Sequence, residues 1–233
     1  MIKRFRWVFI AAWMCASTIS CNSQSDNNSV QKSDRLPAAA GRFYSSDPEE
    51  LNAMLKGLFE KAKGRSADSV CALICPHAGY EYSGVVAASG YKQLDPSRQY
   101  DNIFVIASSH HVSFMGASIY NKGDYITPLG KVEVNTELAN KFIKENSVFT
   151  FNPDADKYEH SLEVQVPFLQ YWMKSRIRLV PIVLGTQYAQ SCKKIADALQ
   201  PYFNENNLFI IRDSLPPNDF ISVFAVQKDP VVA

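Results

Sequence analysis

An α/β fold, a central and mostly parallel sheet with flanking helices, is predicted by three features of the sequence. Residues 70–75 and 103–107 are apolar throughout, which fits strands covered on both faces rather than half-exposed ones. A helix-like run over residues 85–94 lies between them, giving strand–helix–strand order. Each strand then runs directly into a histidine-bearing loop. Sheets of this class hold ligands at the carboxyl ends of their strands.

The elements follow in order. Lys3, Arg4 and Arg6 form a basic start, followed by an apolar run over residues 7–16 that is too short to span a bilayer. Thr18-Ile19-Ser20-Cys21 comes next, then a polar stretch. A small residue directly before a cysteine, after such a run, resembles a bacterial lipoprotein signal. That resemblance implies cleavage before Cys21, lipidation of its thiol, and an exported protein anchored to a membrane on the periplasmic or cell-surface side. Residues 1–20 are then a signal peptide. Residues 21–34 form a polar tether with no apolar period.

Asp47-Pro48-Glu49-Glu50 reads as a helix start, with an acid at the N-cap and proline at the first turn. Leu51, Met54, Leu55, Leu58 and Phe59 follow at helical spacing, and Gly64 is expected to end the run. The first strand leads into Pro76-His77-Ala78-Gly79-Tyr80-Glu81-Tyr82-Ser83-Gly84, read as a loop in which Gly79 and Gly84 allow backbone angles and close approaches. The second strand leads into Ser108-Ser109-His110-His111. A short strand over residues 117–120 and a turn at Thr127-Pro128-Leu129-Gly130 come next. Asn135 caps a helix running to about residue 146, and residues 154–159 read as a polar loop. A helix over 159–170 is expected to break or kink at Pro167. Residues 178–184 form a strand, 190–203 a helix, and 208–211 a final strand.

Composition bounds the function. With 233 residues there is room for one good domain or two small ones. The net charge is +1, and three positive charges sit in the first six residues, so the remainder is slightly acidic and offers nothing to nucleic acid. Cys71 and Cys75 stand four apart on a strand, about 13 Å, beyond disulfide reach. They read as small buried hydrophobes.

All four histidines fall in three segments: His77, the pair His110 and His111, and His160 with Glu163. Neutral imidazole suits iron, zinc and copper, and two histidines with one carboxylate make the open site of non-haem iron oxygenases. Adjacent side chains on extended backbone point to opposite sides, so at most one of His110 and His111 is a straightforward ligand. His160 and Glu163, three apart on one helix turn, suit acid–base work or a structural pair. Tyr80, Tyr82 and His111 are candidates to line a pocket. No His-Glu-x-x-His, Cys-x-x-Cys or Gly-x-Ser-x-Gly pattern is present.

The motifs resemble one family in order. Pro37-Ala38-Ala39-Ala40-Gly41-Arg42-Phe43-Tyr44, the His77 segment, Ser109-His110-His111, Thr127-Pro128-Leu129-Gly130 and Glu159-His160-Ser161-Leu162-Glu163 with Pro167-Phe168-Leu169 look like the Memo family. Its bacterial and archaeal members are called AmmeMemoRadiSam system protein B. The resemblance covers residues 35–211. It implies a fold like that of class III extradiol dioxygenases, enzymes that use non-haem Fe(II). It implies that His77 and His110 are metal ligands, with Fe(II) or copper as the ion, and that His160 and Glu163 line the site as candidate catalytic groups. The family pattern continues after the last strand with Ser-Ser-Asp-Phe-Ser-His or a close variant, where this chain reads Arg212-Asp213-Ser214-Leu215. A partial domain with an incomplete ligand set is therefore expected, followed by a replaced or frame-shifted tail over 212–233, with weak metal binding and impaired oxidoreductase or dioxygenase-like activity. A second reading is a surface lipoprotein that binds a small molecule or a protein partner without catalysis.

Overall fold

The computed structural model describes residues 32–185 and 188–212 and the backbone of Phe224–Val226. The expected signal peptide, Cys21 and residues 22–31 lie outside the described residues, as does Asp213. Its strands are β1 (Ala72–Cys75), β2 (Asn102–Ser108), β3 (Ala117–Ile119), β4 (Tyr125–Thr127), β5 (Gly130–Val134), β6 (Phe149–Thr150), β7 (Arg178–Leu184), β8 (Asn207–Arg212) and β9 (Phe224–Val226). The helices are α1 (Pro48–Lys61), α2 (Tyr80–Tyr91), α3 (Thr136–Glu145), α4 (Pro153–Lys157), α5 (His160–Glu163), α6 (Val166–Trp172) and α7 (Ala189–Leu199).

The strands form one sheet in the order β4-β5-β7-β2-β8-β1-β9, with β3 and β6 attached beside β7. The central pairs β5–β7, β7–β2, β2–β8 and β8–β1 are all parallel. Antiparallel pairing is confined to β4–β5, β3–β7 and β1–β9. The predicted parallel α/β architecture is therefore what forms.

Alternating strand residues feed two cores. Leu73, Cys75, Ile103, Val105, Leu179, Val183, Leu208 and Ile210 face α1, α2 and α6. Ala72, Phe104, Val180, Ile182 and Phe209 face α3 and α7, with Phe104 and Phe209 stacked at 4.6 Å. Burial on both faces explains why these strands read as continuous apolar runs. Each fully buried Phe or Leu contributes about 1.5–3 kcal/mol of transfer free energy.

The caps behave as expected at two helices. The Asp47 carboxylate accepts from the Glu49 and Glu50 amides, and Asn135 accepts from the Leu138 amide. α1 stops at Lys61, before Gly64. Three other expectations are corrected. Tyr80 to Gly84 are not loop but the first turns of α2, so the histidine loop shrinks to Pro76–Gly79. Gly79 has an ordinary φ of −55°, whereas at Gly84 an added Cβ would lie 2.6 Å from Leu58 Cδ1. The close approach of α1 to α2 is what needs that glycine. The helix expected over 159–170 breaks at Val164 and Gln165, and Pro167 opens α6 rather than kinking it. The end of the expected tether is also bonded to the domain. Ser33 donates its amide to Lys122 O, and Asp34 pairs with Lys131 at 2.7 Å. Among the described residues no helix is long and apolar enough to cross a membrane.

Candidate metal centre

β1, β8 and β2 are neighbours, and their carboxyl ends come together at one edge. His77 follows β1 and His110 follows β2. The third histidine, His160, opens α5. One ring nitrogen from each of the three can be chosen so that all lie within 4.8 Å of one another. Ring centroids are 5.3 Å apart for His77 and His110, 5.8 Å for His77 and His160, and 4.5 Å for His110 and His160.

A carboxylate that sequence reasoning passed over orients the cluster. Glu159 is 1% exposed. One of its oxygens accepts the His110 amide at 2.7 Å, and the other lies 2.8 Å from His110 Nδ1 and accepts from the Ser161 amide and hydroxyl. Burial raises the Glu159 carboxyl, but the bonds from Ser161 and His110 outweigh it and hold the group below its ordinary value. An anionic partner on Nδ1 leaves His110 Nε2 as its free ligand atom. Glu159 thus bonds to one of the clustered histidines, and the cluster itself is a set of three imidazoles. A signal existed in the sequence: Glu159 occupies the N-cap of α5, two residues before Ser161.

Burial comes first in lowering His77 to about 4, with Arg212, His110 and His160 adding to it. Burial likewise lowers His160, against the attraction of Glu159. Both rings are therefore neutral at physiological pH, the form a metal needs. His77 Nδ1 is buried without a hydrogen-bond partner. The Phe43 ring stacks on His160 at 4.4 Å. These features fit a metal ion. One feature works against it: Arg212 Nη1 lies 3.5 Å from His77 Nε2.

Glu163 is fully buried in a network of its own. Its oxygens accept from Arg35 Nη1 at 2.6 Å, the Ala38 and Ala39 amides at 2.9 and 2.8 Å, and the Tyr44 hydroxyl at 2.6 Å. Arg35 in turn donates to the Asp156 and Glu159 carbonyls. This lashing holds the segment that carries Phe43 against α5. Gln165, also missed, is fully buried. It donates to Pro76 O at 3.0 Å and accepts from the Tyr91 hydroxyl at 2.8 Å, so it ties the His77 loop to the α5–α6 junction.

The expected pocket residues separate. Tyr80 is buried and donates its hydroxyl to Val164 O at 2.7 Å. Tyr82 is 83% exposed. Both border a hollow of about 490 Å³ that Phe43 and Gly79 also line, with no histidine among its lining residues. His111 is exposed and diverges from His110, with its ring 6.4 Å from those of Tyr158 and His160.

Among known proteins, a family model described as Memo-like protein matches residues 35–215. The chain belongs to the Memo-like family. It is similar to a MEMO1 family protein of Saccharolobus islandicus (strain L.S.2.15), 34% identical over 74% of this chain and 64% of the relative. A MEMO1 family protein of Saccharolobus solfataricus is 36% identical over 71% of this chain and 62% of its own length. One from Methanopyrus kandleri is 34% identical with the same coverage. The matched part of the chain thus spans slightly under two thirds of these relatives. The Memo-like match covers every segment that builds the centre, from Arg35 through His77, His110 and Glu159–His160 to Arg212.

Proposed function

We propose that this Memo-like chain holds one transition-metal ion, Fe(II) or copper, on His77, His110 and His160 and uses it in oxidoreductase or dioxygenase-like chemistry. The observation that carries the reading is the convergence of three imidazoles on one point, two of them kept neutral by burial and the third oriented by Glu159. Imidazole ligands suit these metals. The bound ion would supply Lewis acidity and redox capacity. The chain's own residues supply the rest. Glu159 fixes the His110 ring and compensates charge. Phe43 covers one face of His160 and limits water there.

Metal analysis of the purified protein tests this reading. It predicts about one equivalent of iron or copper after reconstitution, lost in His77→Ala and in His160→Ala while the melting transition persists. Stoichiometric metal in both variants would overturn it.

Export and lipid anchoring through Cys21 belong to the same proposal, supported by the basic start, the short apolar run and the small residue before the cysteine. Labelling with a fatty acid, present in the native chain and absent from Cys21→Ala, tests it.

A further inference from the structure

A second hollow, of about 550 Å³, lies between residues 33–38, the end of β3 and the turn of α4, and no histidine lines it. Its size falls within the range of small-molecule sites, roughly 300–1,000 Å³. Its walls are aromatic and apolar: Tyr120, Phe151, Tyr158 and Leu36. The Tyr120 and Phe151 rings meet edge to face at 5.7 Å, and the Tyr120 hydroxyl donates to the Ser33 carbonyl, so this wall is fixed in place. Leu36 and Tyr158, by contrast, are 70% and 56% exposed at the border of the same hollow.

Two cations complete the lining. Lys122 Nζ stands 5.0 Å from the centre of the Phe151 ring, and Lys157 Nζ 4.9 Å from that of Tyr158. The acids nearby are otherwise engaged. The Asp34 carboxylate accepts the Asp124 amide and pairs with Lys131, and Asp156 is buried and bonded to Ser118. Among the described residues neither Lys122 nor Lys157 has a carboxylate partner. An ammonium over a ring face is held less strongly than one bonded to an anion. Both lysines can therefore turn to an anion that enters the hollow.

We propose that this hollow binds a small aromatic acid, its ring against Tyr120, Phe151 and Tyr158 and its carboxylate between Lys122 and Lys157. The site is separate from the histidine centre and does not depend on the metal reading. Flat ring surfaces favour an aromatic ligand over an aliphatic one, through offset or edge-to-face contact. Displacement of water from the apolar wall drives entry, and the lysines select for negative charge.

Calorimetric titration of the full chain with naphthoate, and with the uncharged naphthamide of nearly the same shape, tests this. The native protein is expected to bind naphthoate about fivefold or more tightly than naphthamide at low salt, the preference shrinking as salt is added. The double variant Lys122→Met with Lys157→Met is expected to lose that preference while still binding naphthamide. Leu36→Asp, a change at an exposed position, adds a negative charge at the border and is expected to weaken naphthoate more than naphthamide. Equal affinity for the two compounds in the native protein would reduce the hollow to an unselective apolar surface and overturn the proposal. A preference for naphthoate that persists in the double lysine variant and in Leu36→Asp would place the carboxylate elsewhere and overturn it too, as would no binding of naphthoate at millimolar concentration.

Discussion

Glu159 Oε1 lies 2.8 Å from His110 Nδ1, and the same carboxylate accepts the His110 backbone amide. One buried acid thereby fixes both the ring and the backbone of a histidine in the cluster. Removing its charge while keeping its size separates that role from capping. Glu159→Gln is expected to weaken metal binding about 10–100-fold, the usual effect of losing the partner of a ligating histidine. Affinity within twofold of native, measured by competition with a chelator, would reduce Glu159 to a helix cap.

Glu163 answers differently. Arg35, two backbone amides and the Tyr44 hydroxyl all depend on it. Glu163→Ala leaves the Arg35 charge buried without its partner, which costs about 3–5 kcal/mol of folding stability. His160→Ala, at a half-buried position, is expected to abolish metal binding with a much smaller loss. Chemical denaturation of both variants checks the contrast, and the reverse ranking would restore Glu163 to the site.

These two carboxylates show how far the sequence was legible. The strands, the helix caps and the three histidine segments could be read because periodicity and strand-end position are local signals. His160 and Glu163 do share a helix turn, as their spacing requires. Which element packs on that turn is a long-range fact: Arg35 lies more than a hundred residues away in sequence, and no local pattern reveals it. The same holds for Arg212, whose place at His77 follows from β8 inserting between β1 and β2. Strand order of that kind is not written in any one segment. The early start of α2 was hidden because Tyr80, Tyr82 and Gly84 are weak helix formers, and tertiary packing of Tyr80 overrides that preference.

Gln165 carries a third prediction. Its amide joins the Tyr91 hydroxyl to the Pro76 carbonyl in a fully buried position. Gln165→Leu keeps the volume but strands both partners, each at about 1–3 kcal/mol. The expected loss is about 2–6 kcal/mol, accompanied by weaker metal binding because the Pro76–Gly79 loop is released. A variant as stable as native, with unchanged affinity, would show that the loop holds without this bridge.

The last prediction concerns Asp156. It is 2% exposed, its Oδ1 lacks a hydrogen-bond partner, and its Oδ2 accepts from the Ser118 hydroxyl at 2.5 Å. Burial pushes its carboxyl up to about 6, although the Ser118 bond and the Arg35 charge pull the other way. The folded value lies above the unfolded one, so between about pH 4 and pH 6 the folded state holds a proton that the unfolded chain has released. Stability from this group is therefore full below about pH 4 and declines as pH rises through 6, by about 2–3 kcal/mol in all. Glu159, whose carboxyl is lowered, contributes the opposite slope at lower pH, so the total stability of the native protein does not isolate Asp156. The difference between native and Asp156→Asn does, because asparagine keeps the shape and does not titrate. That difference is expected to shift in favour of Asn from pH 4 to 6 and to stay level above pH 7. Urea unfolding at a series of pH values measures it, and a difference independent of pH would mean that Asp156 is ionised in the fold despite its burial.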